Sequence, residues 1–144
     1  MSENYWETEV YGVTPLAGLE RIDADDVFEW LGESMPVEGS RINWLEARGK
    51  HTHNHLDDEA ELLARATREV LRRIEGGSRV EHAGDSLSPF GVRFGGEEAS
   101  SIVAALLEIP EHHYFLDVHR GWLVVVSSEG DLDTLDRLGT DAES

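Results

Sequence analysis

Two strand–turn–strand segments in the C-terminal half of the sequence constrain the fold of this chain most strongly. The first predicted pair is Val80–Ala83 with Phe90–Phe94, and the second is His113–Val118 with Trp122–Ser127. Gly121 supplies the residue that a tight hairpin turn needs. The continuously apolar run WLVVV predicts a central strand that is buried on both faces. These patterns predict an antiparallel sheet.

Amphipathic helices are predicted between the strands. The clearest pattern runs from Asp57 to Glu75, where apolar residues recur at helical spacing and acidic residues precede a series of arginines. A shorter helix is expected to begin after Asp23 and to stop near Gly32. A third helix is expected in the run EEASSIVAALLEI, which ends before Pro110. This order of elements is not the strict alternation of a parallel doubly wound sheet.

The remaining segments carry weaker signals. Thr8–Val13 predicts a first strand, and Ser40–Leu45 is too short to classify. Leucines at every third position in Asp131–Leu138 predict a short docked helix. Together the elements predict an α+β fold, with an antiparallel sheet of about four to five strands and helices packed on one face. The length of 144 residues suits a single domain, expected at residues 1–139, with a disordered tail at 140–144.

The charge of the chain limits its partners. The sequence contains 30 acidic and 12 basic residues, which give a formal net charge of −18, and Lys50 is its single lysine. Phosphates would be repelled, so we expect no direct binding to nucleic acid or to a membrane surface. The favoured partner is a basic protein. Two alternatives stay open: adaptation of the whole surface to salt, with the chain as a subunit of a larger assembly, and mimicry of nucleic acid by an inhibitor.

Other sequence signals bear on location and chemistry. The acidic N-terminus lacks the basic and apolar segments of a secretion signal, which predicts a cytoplasmic location. The sequence contains no cysteine, so disulfides and thiol chemistry are excluded. No serine lies in a Gly-x-Ser-x-Gly motif, and Gly95-Gly96 lacks the lysine of a phosphate-binding loop. We therefore expect neither catalytic residues nor a cofactor. The sequence does not indicate an oligomeric state.

Three histidines, His51, His53 and His55, alternate in one short segment. In an extended chain their imidazoles would fall on one side, where they could bind Zn²⁺ or Ni²⁺. The other interpretation is an exposed loop that leads into the long helix, with Asn54 as its N-cap. A small metal-binding protein or enzyme is therefore the second functional hypothesis.

The C-terminal third combines acidic residues with aromatic ones, as a surface that binds a basic protein requires. Charges on such a surface raise the association rate, and buried aromatic anchors supply binding energy. The predicted partner-binding residues are Asp117, Trp122, Glu129, Asp131 and Asp133.

The segment PEHHYFLDVHRGWLVVVSSEGDLDTL, within Ile109–Leu135, resembles the C-terminal part of small bacterial immunity proteins of polymorphic toxin systems. In that pattern a helix precedes an aromatic-rich strand, a turn, an apolar strand that begins with Trp, and a Glu-Gly-Asp segment. Trp122 and the segment Glu129–Asp131 match it here. The resemblance implies a cytoplasmic antidote that blocks a toxin, such as a basic nuclease, by stoichiometric binding.

Overall fold

The structure is a computed structural model that describes residues 19–34, 37–38, 41–42, 50–74, 79–84, 91–95, 99–108, 111–119, 121–127 and 129–136. Its elements in chain order are β1 (Leu19–Ile22), α1 (Ala24–Ser34), β2 (Val37–Glu38), β3 (Arg41–Ile42), β4 (Lys50–His55), α2 (Glu59–Ile74), β5 (Val80–Gly84), β6 (Gly91–Phe94), α3 (Ala99–Leu107), β7 (His113–Asp117), β8 (Trp122–Val126) and β9 (Asp131–Asp136). The predicted strand at Thr8–Val13 and the tail at 140–144 lie outside the described residues. Within these residues, no helix is both long enough and apolar enough to cross a membrane.

Seven strands form one antiparallel sheet in the order β1-β6-β5-β7-β8-β9-β4, and β2 pairs with β3 separately. Both predicted hairpins are present, β5 with β6 and β7 with β8. The WLVVV run forms β8, which lies between β7 and β9 as the sequence predicted. The α+β class is therefore confirmed. The sheet exceeds four to five strands because three of its seven strands, β1, β4 and β9, were not predicted as strands. Strand β1 extends one side of the sheet, and β9 and β4 extend the other.

The leucine spacing predicted a helix over Asp131–Leu138, but the described part of this segment, Asp131–Asp136, is strand β9. Leu132 and Leu135 are both fully buried, but they belong to different hydrophobic clusters. Residues three apart on a strand point to opposite faces, and both faces of this sheet are covered. The same spacing therefore suits a strand between two cores, and the helix prediction was wrong.

The two hydrophobic clusters lie on opposite faces of the sheet. Helices α2 and α3 pack on the face that contains Phe115 and Val124, which we call face A. Helix α1 packs on the face that contains Tyr114 and Leu116, called face B, where the ring of Phe28 meets Tyr114 edge-on at 5.4 Å. The sequence predicted helices on one face, whereas α1 covers the second. The central strands carry apolar side chains on both faces, so helices must pack on both faces to shield these side chains from water.

The helix starts follow from capping side chains. Asp23 accepts a hydrogen bond from the N–H of Asp25 at 2.9 Å, which confirms it as the N-cap of α1. Helix α2 is capped by Asp58, which accepts from the N–H of Ala60 at 2.8 Å. The cap proposed from the sequence, Asn54, instead lies within strand β4.

A buried arginine attaches α2 to the sheet. Arg73 donates from Nη1 to Glu69 at 2.8 Å, an i,i+4 contact on the helix. It also donates from Nη2 to Asp136 of β9 at 2.6 Å. The side chain of Arg73 is only 5% exposed, so these partners stabilise a charge that water barely reaches.

Candidate functional site

One end of the sheet carries a pocket of about 320 Å³. It is formed by the segment before α2, the first turns of α2, the end of α3, the start of β7 and the β8–β9 turn. Its lining residues are Leu56, Asp57, Glu59, Leu62, Leu63, Leu107, Glu111, His113, Val126, Ser127, Glu129 and Gly130. This volume falls at the lower end of the range for pockets that hold small ligands or single side chains.

The antiparallel topology brings these segments together. Strand β4 ends where β9 begins, with His55 opposite Asp131. The N–H of Leu56 donates to the carbonyl of Gly130 at 2.9 Å, which joins the β8–β9 turn to the segment before α2. Gly130 has a φ of 99°, and a Cβ there would lie 2.9 Å from the carbonyl oxygen of Leu56. Glycine is therefore required at the point where the two segments meet.

The pocket combines apolar walls with carboxylates. Three exposed residues, Asp57, Glu59 and Glu129, stand at its mouth, and we call them the rim carboxylates. Glu111 is only 4% exposed and lies deeper. The lining residues that the structure describes include neither lysine nor arginine. The pocket is consequently a region of negative potential that attracts cations.

Two buried polar side chains, Glu111 and His113, form the floor of the pocket. A Cβ on Gly84 would overlap the carboxylate of Glu111, so the glycine in β5 provides the space that this carboxylate occupies. Nδ1 of His113 lies 2.9 Å from Nε2 of His82, which is fully buried in β5. Burial, followed by the neighbouring His113, lowers the pKa of His82 well below its usual value. His82 is therefore neutral.

The contact between His82 and His113 also indicates which nitrogen of each imidazole carries the proton. Nδ1 of His82 is buried and has no hydrogen-bond partner among the described residues. Because a buried N–H without an acceptor is seldom tolerated, we assign the His82 proton to Nε2, which donates to Nδ1 of His113. A neutral His113 then carries its own proton on Nε2. The pocket floor thus holds one imidazole of fixed tautomer beside one carboxylate.

A second cluster of polar side chains lies on face B, at the edge strand. His51, His53 and His55 share one face of β4 because alternate residues of a strand do so. Nε2 of His51 and Nδ1 of His53 each lie 2.8 Å from the same oxygen of Asp133. The side chain of Asp133 is 9% exposed, so it is covered largely by its histidine partners and the sheet.

His55 joins this cluster to the pocket. Its Nδ1 lies 2.9 Å from Asp131, and its Nε2 lies 3.0 Å from Asp57, one of the rim carboxylates. Hydrogen bonds that His55 donates, first to Asp131 and then to Asp57, raise the pKa of His55. The charge state of His55 is therefore coupled to the mouth of the pocket.

The structure corrects the loop interpretation of the three histidines. The segment is a strand and not an exposed loop. The imidazoles do fall on one side, where His51 and His53 meet one oxygen of Asp133 and His55 meets Asp131. Within the described ranges, no three histidine, aspartate or glutamate side chains are arranged to hold a metal ion.

The predicted partner-binding residues do not form one surface. Glu129 is exposed and Asp131 is partly exposed, both at the pocket end of the sheet. Asp117 and Trp122 are each 7% exposed and lie at the opposite end. The two ends are separated by roughly 13 Å, which is four steps of about 3.3 Å along β8. A hairpin places residues that are close in sequence at opposite ends of its strands, and Trp122 belongs to the face A core.

The sequence analysis did not predict that Glu111 lies in one site with the rim carboxylates Asp57 and Glu59. No local pattern marks Glu111, because its burial depends on Gly84, a residue of a different strand. The pairing of β5 with β7, which sets His82 opposite Phe115 and beside His113, is equally remote in sequence. Only the register of the strands reveals this site.

No protein-family model matches this sequence, and neither does any curated protein.

Proposed function

We propose that this chain is a non-enzymatic binding protein that inhibits a basic protein, such as a nuclease toxin, by covering its surface. The observation that supports this proposal most strongly is a set of exposed carboxylates gathered at the pocket end of the sheet. We call this set the acidic end, and its members are Asp57, Asp58, Glu59, Glu61, Glu108 and Glu129. The resemblance of Ile109–Leu135 to immunity proteins agrees with such a role.

Five of the described arginines, Arg65, Arg72, Arg73, Arg79 and Arg93, are paired with carboxylates elsewhere in the molecule. On α2, Arg72 and Arg73 contact Glu69, which lies toward the other end of the helix. At the edge of the sheet opposite to β4, Arg79 and Arg93 contact Glu20 of β1. These five positive charges therefore balance acids away from the acidic end.

This separation of charge has a consequence for association. Clustered carboxylates raise the local concentration of a cationic partner and orient its approach, while they repel phosphates. Surface charges of this kind act mainly on the association rate and are screened by salt. An inhibitor that must reach its toxin quickly benefits from the higher association rate.

The test is reconstitution with the natural partner. Basic proteins captured by this chain from its native host are purified, mixed with it at equimolar ratio, and assayed for enzymatic activity. We expect an equimolar complex that abolishes the partner's activity. We also expect an association rate constant that falls about tenfold between about 50 mM and about 500 mM NaCl. Failure to reconstitute such a complex, or an association rate that salt does not change, would contradict the proposal.

A further inference from the structure

We propose that the pocket at the acidic end receives one arginine side chain of the basic partner. This inference rests on the proposed function and adds the chemical group that is recognised and the place where it is held. The volume of the pocket, the chemistry of its walls and its negative charge favour this occupant.

The walls of the pocket match the two parts of an arginine side chain. Aliphatic side chains form much of the lining, and they are Leu56, Leu62, Leu63, Leu107 and Val126. The methylene stem of arginine packs well on such walls while its charged head reaches polar groups. A small inorganic cation would leave those apolar walls without a contact.

The carboxylates are distributed over the depth of the pocket. The rim carboxylates Asp57, Glu59 and Glu129 are exposed, whereas Glu111 on the floor is 4% exposed. A guanidinium group has several N–H donors in a planar fork and is weakly hydrated, so it can contact carboxylates at different depths. The ammonium group of lysine is more strongly hydrated and would lose more on entering. Arginine is therefore the basic side chain that this pocket fits best.

A direct test uses a single blocked amino acid as the probe. Nuclear magnetic resonance titration of the labelled protein with N-acetyl-arginine methylamide reports binding at each backbone amide. We expect saturable shifts centred on Leu63, Ser127 and Gly130, with a dissociation constant on the order of millimolar. The neutral isostere N-acetyl-citrulline methylamide has the same shape without the charge, and we expect it to bind at least about tenfold more weakly. The lysine analogue is expected to bind more weakly than the arginine probe.

Matched charge variants decide whether the pocket or the whole surface attracts the probe. Glu59→Gln/Glu129→Gln removes two rim carboxylates, and Glu29→Gln/Glu33→Gln removes two exposed carboxylates of α1 on the other face of the sheet. We expect the rim variant to bind the arginine probe about fivefold more weakly and the α1 variant to bind it unchanged. Both pairs are exposed, so both variants are expected to fold.

Three results would overturn the inference. They are equal binding of the citrulline and arginine probes, shifts spread over the acidic surface without saturation, and an equal loss in the two charge variants. The proposed function fails on different evidence, because a basic partner could still form a salt-sensitive complex on the acidic end with the pocket empty. Reconstitution with the protein partner and titration with the arginine probe therefore separate the two claims.

Discussion

Nε2 of His82 lies 2.9 Å from Nδ1 of His113 inside the sheet, where both imidazoles are at most 2% exposed. Burial, together with the adjacent His113, holds the pKa of His82 well below its usual value. In the unfolded chain His82 takes up a proton below about pH 6.5, whereas in the folded chain it stays neutral. The unfolded state then binds more protons, so this residue makes the fold less stable as the pH falls.

The first prediction concerns the pH dependence of stability. Below about pH 6.5, His82 should lower the free energy of unfolding by up to about 1.4 kcal/mol per pH unit. His82→Gln keeps an N–H that can donate to His113 but does not titrate, so its stability should decline less steeply. Urea unfolding of both proteins between about pH 7.5 and about pH 5 measures the difference. Parallel declines would contradict the assignment of a neutral His82.

The second prediction concerns the buried arginine of α2. Burial disfavours the charge of Arg73, but hydrogen bonds to Asp136 and Glu69 keep its pKa raised. Arg73→Met leaves Asp136 without this partner and should lower the free energy of unfolding by about 3 kcal/mol. Arg68→Met changes an exposed arginine of the same helix and should cost less than about 0.5 kcal/mol. Denaturant midpoints that shift equally in the two variants would show that the link between α2 and β9 contributes little.

The third prediction concerns His55 at the mouth of the pocket. Asp131 makes the larger contribution to its raised pKa, so Asp131→Asn should move this pKa down toward about 6.5. Asp25→Asn, on α1, should leave it unchanged. Since the pKa is raised on folding, the contribution of His55 to stability is present below about pH 6.5 and is lost as the pH rises through the folded pKa. A titration of the imidazole resonances by nuclear magnetic resonance measures each pKa, and an unshifted value in Asp131→Asn would rule out this contact.

The fourth prediction compares two glycines that should respond in opposite directions. Gly130 has a positive φ and faces the carbonyl of Leu56, so Gly130→Ala should destabilise the fold by about 1–3 kcal/mol. Gly32 lies in α1 with open space around the position of a Cβ, so Gly32→Ala should stabilise it by about 0.5–1 kcal/mol. Thermal or urea unfolding of both variants supplies the comparison. A neutral Gly130→Ala would mean that the β8–β9 turn adapts without strain.

The elements that the sequence predicted well are those whose signals are local. Helix α2 has an uninterrupted helical period with acidic residues before arginines, and the β7–β8 hairpin has a turn glycine beside an apolar strand. Such signals depend on residues that are close in sequence, so they can be recognised before the fold is known. The length of the main helix and the central place of β8 followed from them.

The edge of the sheet and the pocket could not be predicted in this way. Strand β4 has the sequence KHTHNH, without the apolar alternation that marks a strand, and it is held by pairing with β9. The contact between His53 and Asp133 joins residues 80 positions apart, and no local pattern encodes such a distance. The predicted metal ligands and two of the predicted partner-binding acids, Asp131 and Asp133, thus proved to be neighbours in one cluster.

The central claim is that carboxylates at the acidic end, and not the net charge of the chain, govern association with a basic partner. The most direct measurement is the association rate constant of the reconstituted complex for the native chain, for Glu59→Gln/Glu129→Gln and for Glu29→Gln/Glu33→Gln, at low salt. The two variants lose the same charge from different faces. We predict association about three- to tenfold slower for the rim variant and a change below about twofold for the α1 variant. Equal rates for the two variants would contradict the account and would leave the acidity as a general property of the surface.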